Sequence, residues 1–144
     1  MTTITWDGTT LAADRRASHV GGSDFVTKIR RLSDGRLVGA AGISACCELW
    51  MHWREHGGEM PALLKPKDSG TDTTADGIEI HPGGKVFIYG KYGPVPIESP
   101  FTAVGSGKPF ALGAMAMGAN AILAVEVAAR FDRSTGGGVD YLTF

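Results

Sequence analysis

The chain opens Met-Thr-Thr-Ile-Thr-Trp-Asp-Gly, and its chemistry begins at Thr2. A threonine hydroxyl is un-ionised at neutral pH and needs a base. With Met1 removed, as the small threonine that follows favours, residue 2 carries its own base. Its α-amine, with a reference pKa near 8, then sits beside the hydroxyl, a recognised way to activate a weak nucleophile. A nearby cation lowers that amine toward the working pH. Lys28, in Thr-Lys-Ile-Arg-Arg-Leu (27–32), is one candidate. Asp14, closing Leu-Ala-Ala-Asp (11–14), could supply the counter-charge that a desolvated lysine requires; taken singly, the two read equally as a solvated turn carboxylate and a surface lysine.

Three glycine-bearing segments could complete such a site. Gly39-Ala-Ala-Gly42 falls where a strand should turn into a helix. Backbone N–H groups at such a junction lack intrahelical partners and can hold an oxyanion; the segment is equally a plain tight turn. Gly105-Ser106-Gly107 lacks the Gly-Lys-Ser/Thr ending of a phosphate loop and the length of a dinucleotide fingerprint. Its serine could instead hydrogen-bond an amine. Asp132-Arg-Ser-Thr135-Gly-Gly-Gly138 sets a carboxylate and a hydroxyl three residues apart, although a glycine turn closing a helix reads the same way. His52 and His56, four apart, could form a metal pair, but exposed helix positions explain them better, and no metal site is expected. Cys46 and Cys47 are adjacent and have no other cysteine to pair with. They read as structural thiols of a cytoplasmic protein.

The elements that must position these residues follow from the pattern. Asp7-Gly8 between β-prone arms (2–5 and 9–13) predicts a hairpin. Residues 14–25 read as a loop, 26–32 and 36–40 as strands, and a helix should run from Ser44, as N-cap, to Gly57. Residues 59–75 read as loop with one helical turn at 61–64. A second hairpin spans 78–80 and 86–89, 92–100 is extended, and 101–104 is a short strand. Helices at 108–117 and 121–131 and a last strand at 139–144 complete the order. Two sheets with helices outside satisfy it, as would other α+β layouts.

The bulk numbers exclude several classes. The 144 residues suggest a single domain over 1–144, long enough to bury a core. Lys plus Arg number 14 and Asp plus Glu 15, a net charge of −1, which gives no support for nucleic acid or an anionic membrane. No apolar run approaches the roughly 20 residues that span a bilayer, and no signal peptide is expected.

Taken together and in order, Thr-Thr-Ile, Leu-Ala-Ala-Asp-Arg-Arg-Ala-Ser, Thr-Lys-Ile-Arg-Arg-Leu, Gly39-Ala-Ala-Gly, Ala103-Val-Gly-Ser-Gly and Asp132-x-x-Thr-Gly-Gly resemble the N-terminal-nucleophile threonine peptidases, the proteasome β subunits and their HslV relatives. The resemblance implies a shortened α+β fold, a four-layer αββα sandwich of two antiparallel sheets flanked by helices. It implies Thr2 as nucleophile, Asp14 and Lys28 as its electrostatic support, and the Gly39 N–H as oxyanion donor. Ser106, Asp132 and Thr135 become the hydrogen-bond shell of the amine. Ser18 would contact the substrate backbone, and Ala17, Val26, Leu37 and Ala41 would line a pocket for an apolar side chain. No cofactor is implied. The implied partners are peptide or unfolded protein as substrate, further copies of the chain in a ring or stacked rings, and a separate ATP-dependent unfoldase. Two other functions fit the same sequence: an amidohydrolase of small amides on the same site, and a non-catalytic scaffold or assembly subunit in which Met1 is retained.

Overall fold

The computed structural model describes residues 2–65, 75–90 and 92–144. Eleven strands and three helices are found among them. The opening strands are β1 (Thr3–Trp6), β2 (Thr10–Asp14), β3 (Arg16–His19), β4 (Gly22–Phe25), β5 (Ile29–Arg31) and β6 (Leu37–Gly42). Helix α1 (Ser44–His56) follows, then β7 (Ala75–Ile80), β8 (Val86–Gly90), β9 (Gly93–Ile97) and β10 (Thr102–Gly105). Helices α2 (Lys108–Ala116) and α3 (Ala121–Phe131) and strand β11 (Val139–Thr143) end the chain. One antiparallel sheet has the order β10-β1-β2-β11 and the other β5-β6-β7-β8-β9, with β3-β4 as a separate hairpin. Helix α1 covers β6 and β7; α2 and α3 cover β1, β2 and β10. The layers are therefore helix, sheet, sheet, helices, the αββα sandwich in a short form.

Strand alternation explains the layering. Ile4 and Trp6 of β1, Leu11 and Ala13 of β2, Leu37 and Ala41 of β6, Ile78 and Ile80 of β7 and Val104 of β10 all point between the sheets. Their neighbours point outward. Val38 and Ala40 meet Cys47, Trp50 and Met51 of α1. On the other side Ala12 and Ala103 are small, so Ala121, Ala124, Val125 and Ala128 of α3 can approach closely. The Asp7 carboxylate joins two elements. Oδ1 accepts from Thr9 N and Thr10 N at 2.9 and 2.8 Å, closing the β1–β2 turn, and Oδ2 accepts from Ala121 N at 2.8 Å at the start of α3.

Three expectations change. Residues 14–25 are not a plain loop: 16–25 pair as the β3–β4 hairpin, turning through Gly21 at φ +92°. The side chains of Val20 and Phe25 stand exposed there, so no apolar face marked the strands. The strand expected over 26–32 shortens to Ile29–Arg31, leaving Val26 to Lys28 to shape the site. The cap position of α1 is Ile43, and no side chain caps that helix; Ser44 is its first residue. The 59–75 loop holds a 3₁₀ turn at Ala62–Leu64, and its 66–74 part lies outside the described residues.

Glu79 interrupts the apolar face beneath α1. It is 1% exposed and meets Arg36 Nη1 at 3.0 Å, Arg54 Nε at 2.7 Å and His81 Nε2 at 2.8 Å. Arg54 in turn lies over the Trp53 and Tyr89 rings. Removing the charge in Glu79→Gln leaves two guanidinium groups without it and should cost about 3 kcal/mol. Burial raises the Glu79 carboxyl, but the hydrogen bonds and charges of Arg54 and Arg36 outweigh it and hold the folded value below the ordinary 4.5. Its stabilising contribution is complete above that ordinary value and is lost as the pH falls through the lower folded one. Urea midpoints measured from neutral to acid pH check both statements. The wild type should lose its advantage over Glu79→Gln only on the acid side.

Candidate active site

At the end of β2, Asp14 is fully buried, with four donors around it. Oδ1 accepts from Lys28 Nζ and from the Thr3 N–H, both at 2.9 Å. Oδ2 accepts from Gly136 N at 3.0 Å and Arg16 N at 3.2 Å. Lys28 is itself only 6% exposed. Burial lowers its ammonium from the usual lysine range against the opposing pull of Asp14. A cation is thus held next to Thr2, which is also buried, at 4% exposure.

A second acidic arm lies at the start of α2 and the end of α3. Ser106 Oγ donates to Asp132 Oδ2 at 2.5 Å, and Thr135 Oγ1 donates to the same oxygen at 2.6 Å. Oδ1 accepts from Ser134 N at 3.1 Å. Burial raises the Asp132 carboxyl, but these hydrogen bonds prevail and keep it below the usual aspartate value. Ser106 Oγ stands 3.4 Å from the Thr2 carbonyl oxygen. A hydroxyl has one proton and two lone pairs. With the proton committed to Asp132, a lone pair remains for an N–H on the Thr2 side. Gly105 permits this closeness, since a Cβ there would lie 1.9 Å from the Thr2 carbonyl oxygen.

Beside Thr2 lies a cavity of about 70 Å³, lined by Val26, Thr27, Lys28, Ala40, Gly42, Ser44, Cys47, Glu48 and Met51. Of the pocket residues expected from sequence, it includes Val26. Leu37 and Ala41 lie instead between the two sheets. Ala17 and Ser18 are on β3, Ser18 exposed, and are not among the described lining residues. Gly39 is also displaced from the expected role. It is mid-strand, paired with Ile29 on one side and Ile78 on the other, and its α-carbon faces Ile29 and Ile4.

The reason is strand parity. Ala40 N donates to Lys28 O at 3.4 Å, toward the β5 side. Alternation turns the N–H groups of Gly39 and Ala41 the other way, into the ladder with β7. By the same alternation the Gly42 N–H turns back to the Lys28 side, beyond the residues of β6 that pair with β5. Gly42, at φ +140°, is the last residue of β6 and lines the cavity. A one-residue shift in the assumed phase exchanges core and pocket residues throughout the strand; Gly39, Leu37 and Ala41 all carry that shift.

Sequence reasoning also missed Thr3 and the α1 residues Cys47 and Met51. Nothing in their types separates them from core positions; only the tertiary fold brings them to the site. Burial pushes the Cys47 thiol up to about 11, so it is a wall of the cavity and not a nucleophile. His52 and His56 are exposed on α1 with ring centroids 4.2 Å apart. Among the described residues no group of three or more His, Cys, Asp or Glu could hold a metal ion.

The sequence matches no protein-family model and no curated protein. Solved structures match over nearly the whole chain. Thiobacillus denitrificans BPH in complex with epoxomicin is 22% identical with a TM-score of 0.73, covering 99% of this chain and 97% of that one. A second structure of Thiobacillus denitrificans BPH gives 22% and 0.72, covering 99% and 96%. HslV from Trypanosoma brucei gives 19% and 0.70, covering 98% and 97%. The chain therefore has the HslV-type fold, and no described helix is long and apolar enough to cross a membrane.

Lys28→Met keeps the volume and removes the charge opposite a fully buried carboxylate. It should lower stability by about 3 kcal/mol or more, whereas Lys108→Met on the exposed start of α2 should stay within about 0.5 kcal/mol. Urea denaturation of the two variants checks the contrast.

Proposed function

We propose that this chain is a threonine-type endopeptidase subunit of the HslV and proteasome β kind, with Thr2 as N-terminal nucleophile after Met1 is removed. The observation that carries the reading is the buried Asp14–Lys28 pair: its carboxylate holds the Thr3 N–H, and its lysine lines the cavity beside Thr2. The HslV-type fold agrees with it, but function follows the site and not the fold.

The chemistry runs as follows. The α-amine of Thr2 takes the proton of its own Oγ, and Oγ attacks the peptide carbonyl carbon. Lys28 keeps that amine neutral for the purpose by raising the local positive potential. Ser106, its proton held by Asp132, accepts an N–H from the amine and orients it. The oxyanion that forms is met by the Gly42 N–H, the donor whose strand parity faces the site. The protonated amine then gives its proton to the leaving nitrogen, the C–N bond breaks, and an ester on Thr2 remains. Water, deprotonated by the same amine, attacks the ester and restores the hydroxyl. Val26, Cys47 and Met51 make the cavity largely apolar, which suits an apolar side chain on the acyl side of the cut. Ala17 and Ser18, on the neighbouring exposed hairpin, are offered to the substrate backbone. The same reading carries assembly of the chain into a ring or stacked rings in the cytoplasm, with a separate unfoldase supplying unfolded chains.

The test is intact mass of protein purified without an N-terminal tag, before and after a threonine-directed epoxyketone. A chain beginning at Thr2 that gains one adduct, with none on Thr2→Ala, is the expected result. The high pKa of the Cys47 thiol keeps that cysteine out of the reaction. Full retention of Met1 with no adduct would instead favour the scaffold reading. Activity on small amides without activity on peptides would favour the amidohydrolase.

A further inference from the structure

We propose that Thr3 is a positioning residue of this centre, joining its two acidic arms and ordering the hydroxyl protons around Asp132. The proposal rests on the threonine-nucleophile reading for its effect on rate, though its geometry stands apart from that reading. Thr3 is fully buried on β1, next to the residue proposed to react. Its N–H donates to Asp14 Oδ1 at 2.9 Å, the oxygen that also receives Lys28 Nζ. Its side chain reaches the other arm, with Oγ1 2.6 Å from Thr135 Oγ1.

Proton counting fixes the direction of that contact. Thr135 has one hydroxyl proton, and Asp132 Oδ2 takes it at 2.6 Å. Thr3 must therefore be the donor, and the hydroxyls run Thr3 to Thr135 to Asp132. Each donor in such a chain polarises the next. The chain ends on the oxygen that also holds the Ser106 proton, so it helps keep Asp132 ionised and Ser106 turned as an acceptor. The space is fitted to this pair. A Cβ on Gly107 would lie 1.9 Å from Thr3 Oγ1 and 3.1 Å from Thr135 Oγ1. The charged groups around Asp132 include the N-terminal amine, Lys28 across the site, Arg133 beside it and Arg16, whose Nη1 donates to the Arg133 carbonyl at 3.0 Å. None of them changes in the variants below.

Thr3→Val keeps the shape and the N–H to Asp14 but removes the donor, Thr3→Cys offers a weaker one, and Thr3→Ser restores it. In protein shown by mass to begin at Thr2, kcat on a fluorogenic peptide should fall about tenfold in Thr3→Val with KM unchanged. The loss should be smaller in Thr3→Cys and absent in Thr3→Ser. The carboxyl carbon of Asp132, titrated by NMR, reads the relay without turnover. Its pKa should rise in Thr3→Val and return in Thr3→Ser. An Asp132 titration indifferent to residue 3 overturns the proposal whether or not the protein is a peptidase, as does a rate loss that serine fails to rescue. A shifted titration in a protein with no turnover and no adduct would overturn the nucleophile reading and leave the relay standing. Should Thr3→Val not fold, Thr3→Cys carries the same two readouts.

Discussion

A carboxylate taken wholly out of water must be met by donors, and Asp14 is that constraint here. Its four partners come from four segments: β1, β3, the approach to β5, and the glycine turn before β11. No two of these segments are adjacent in sequence, and only β3 follows directly on the strand that carries Asp14. Satisfying one side chain therefore fixes how the β3–β4 hairpin, the Lys28 loop and the Gly136 turn sit against the β1–β2 pair. The same arrangement sets a cation against Thr2. The carboxylate's pull on the ammonium is also why Lys28 tolerates burial that lowers its affinity for a proton.

Much of this was legible in the sequence for a physical reason. The two-residue alternation of β1 and β7 marks the face turned to the core, and Asp7-Gly8 and Ser33-Asp34-Gly35 mark the β1–β2 and β5–β6 turns. The residues of the two acidic arms could be named because charge and hydroxyl types are conspicuous. The β3–β4 hairpin was not legible, because Val20 and Phe25 are exposed and its strands carry no buried face. The phase of β6 was not legible either. Leu-Val-Gly-Ala-Ala-Gly is small and apolar on both faces, being buried between α1 and the second sheet. Periodicity gives no phase in such a strand. Only the partner of Ala40 decides that Gly42, and not Gly39, faces the site.

Thr3 illustrates a different limit. A threonine in a strand is an ordinary β-former, and Thr5, two residues on, shows the ordinary use. Its hydroxyl donates to the Ala121 carbonyl at 2.9 Å and ties β1 to α3. Thr3 has the same orientation and burial, but its hydroxyl meets another hydroxyl whose proton is already committed. The distinction lies wholly in the partner, which is 132 residues away in sequence.

The two arms also carry opposite charge, and that opposition bears on the chemistry. Lys28 brings positive potential to one side of Thr2, and Asp132, through Ser106, brings negative potential to the other. An amine that must first accept and then release a proton is served by neither sign alone. A cation alone would hold it deprotonated, and an anion alone would hold it charged. On the proposed reading the Thr2 amine would lie between the two, with Ser106 relaying one arm through a hydroxyl in place of a direct carboxylate contact. Opposed charges on either side are the arrangement that general acid–base work would call for. A fold shared at 19–22% identity does not require such balance. Two satisfied, oppositely charged and mutually tethered arms beside one small cavity are what bears on chemistry here.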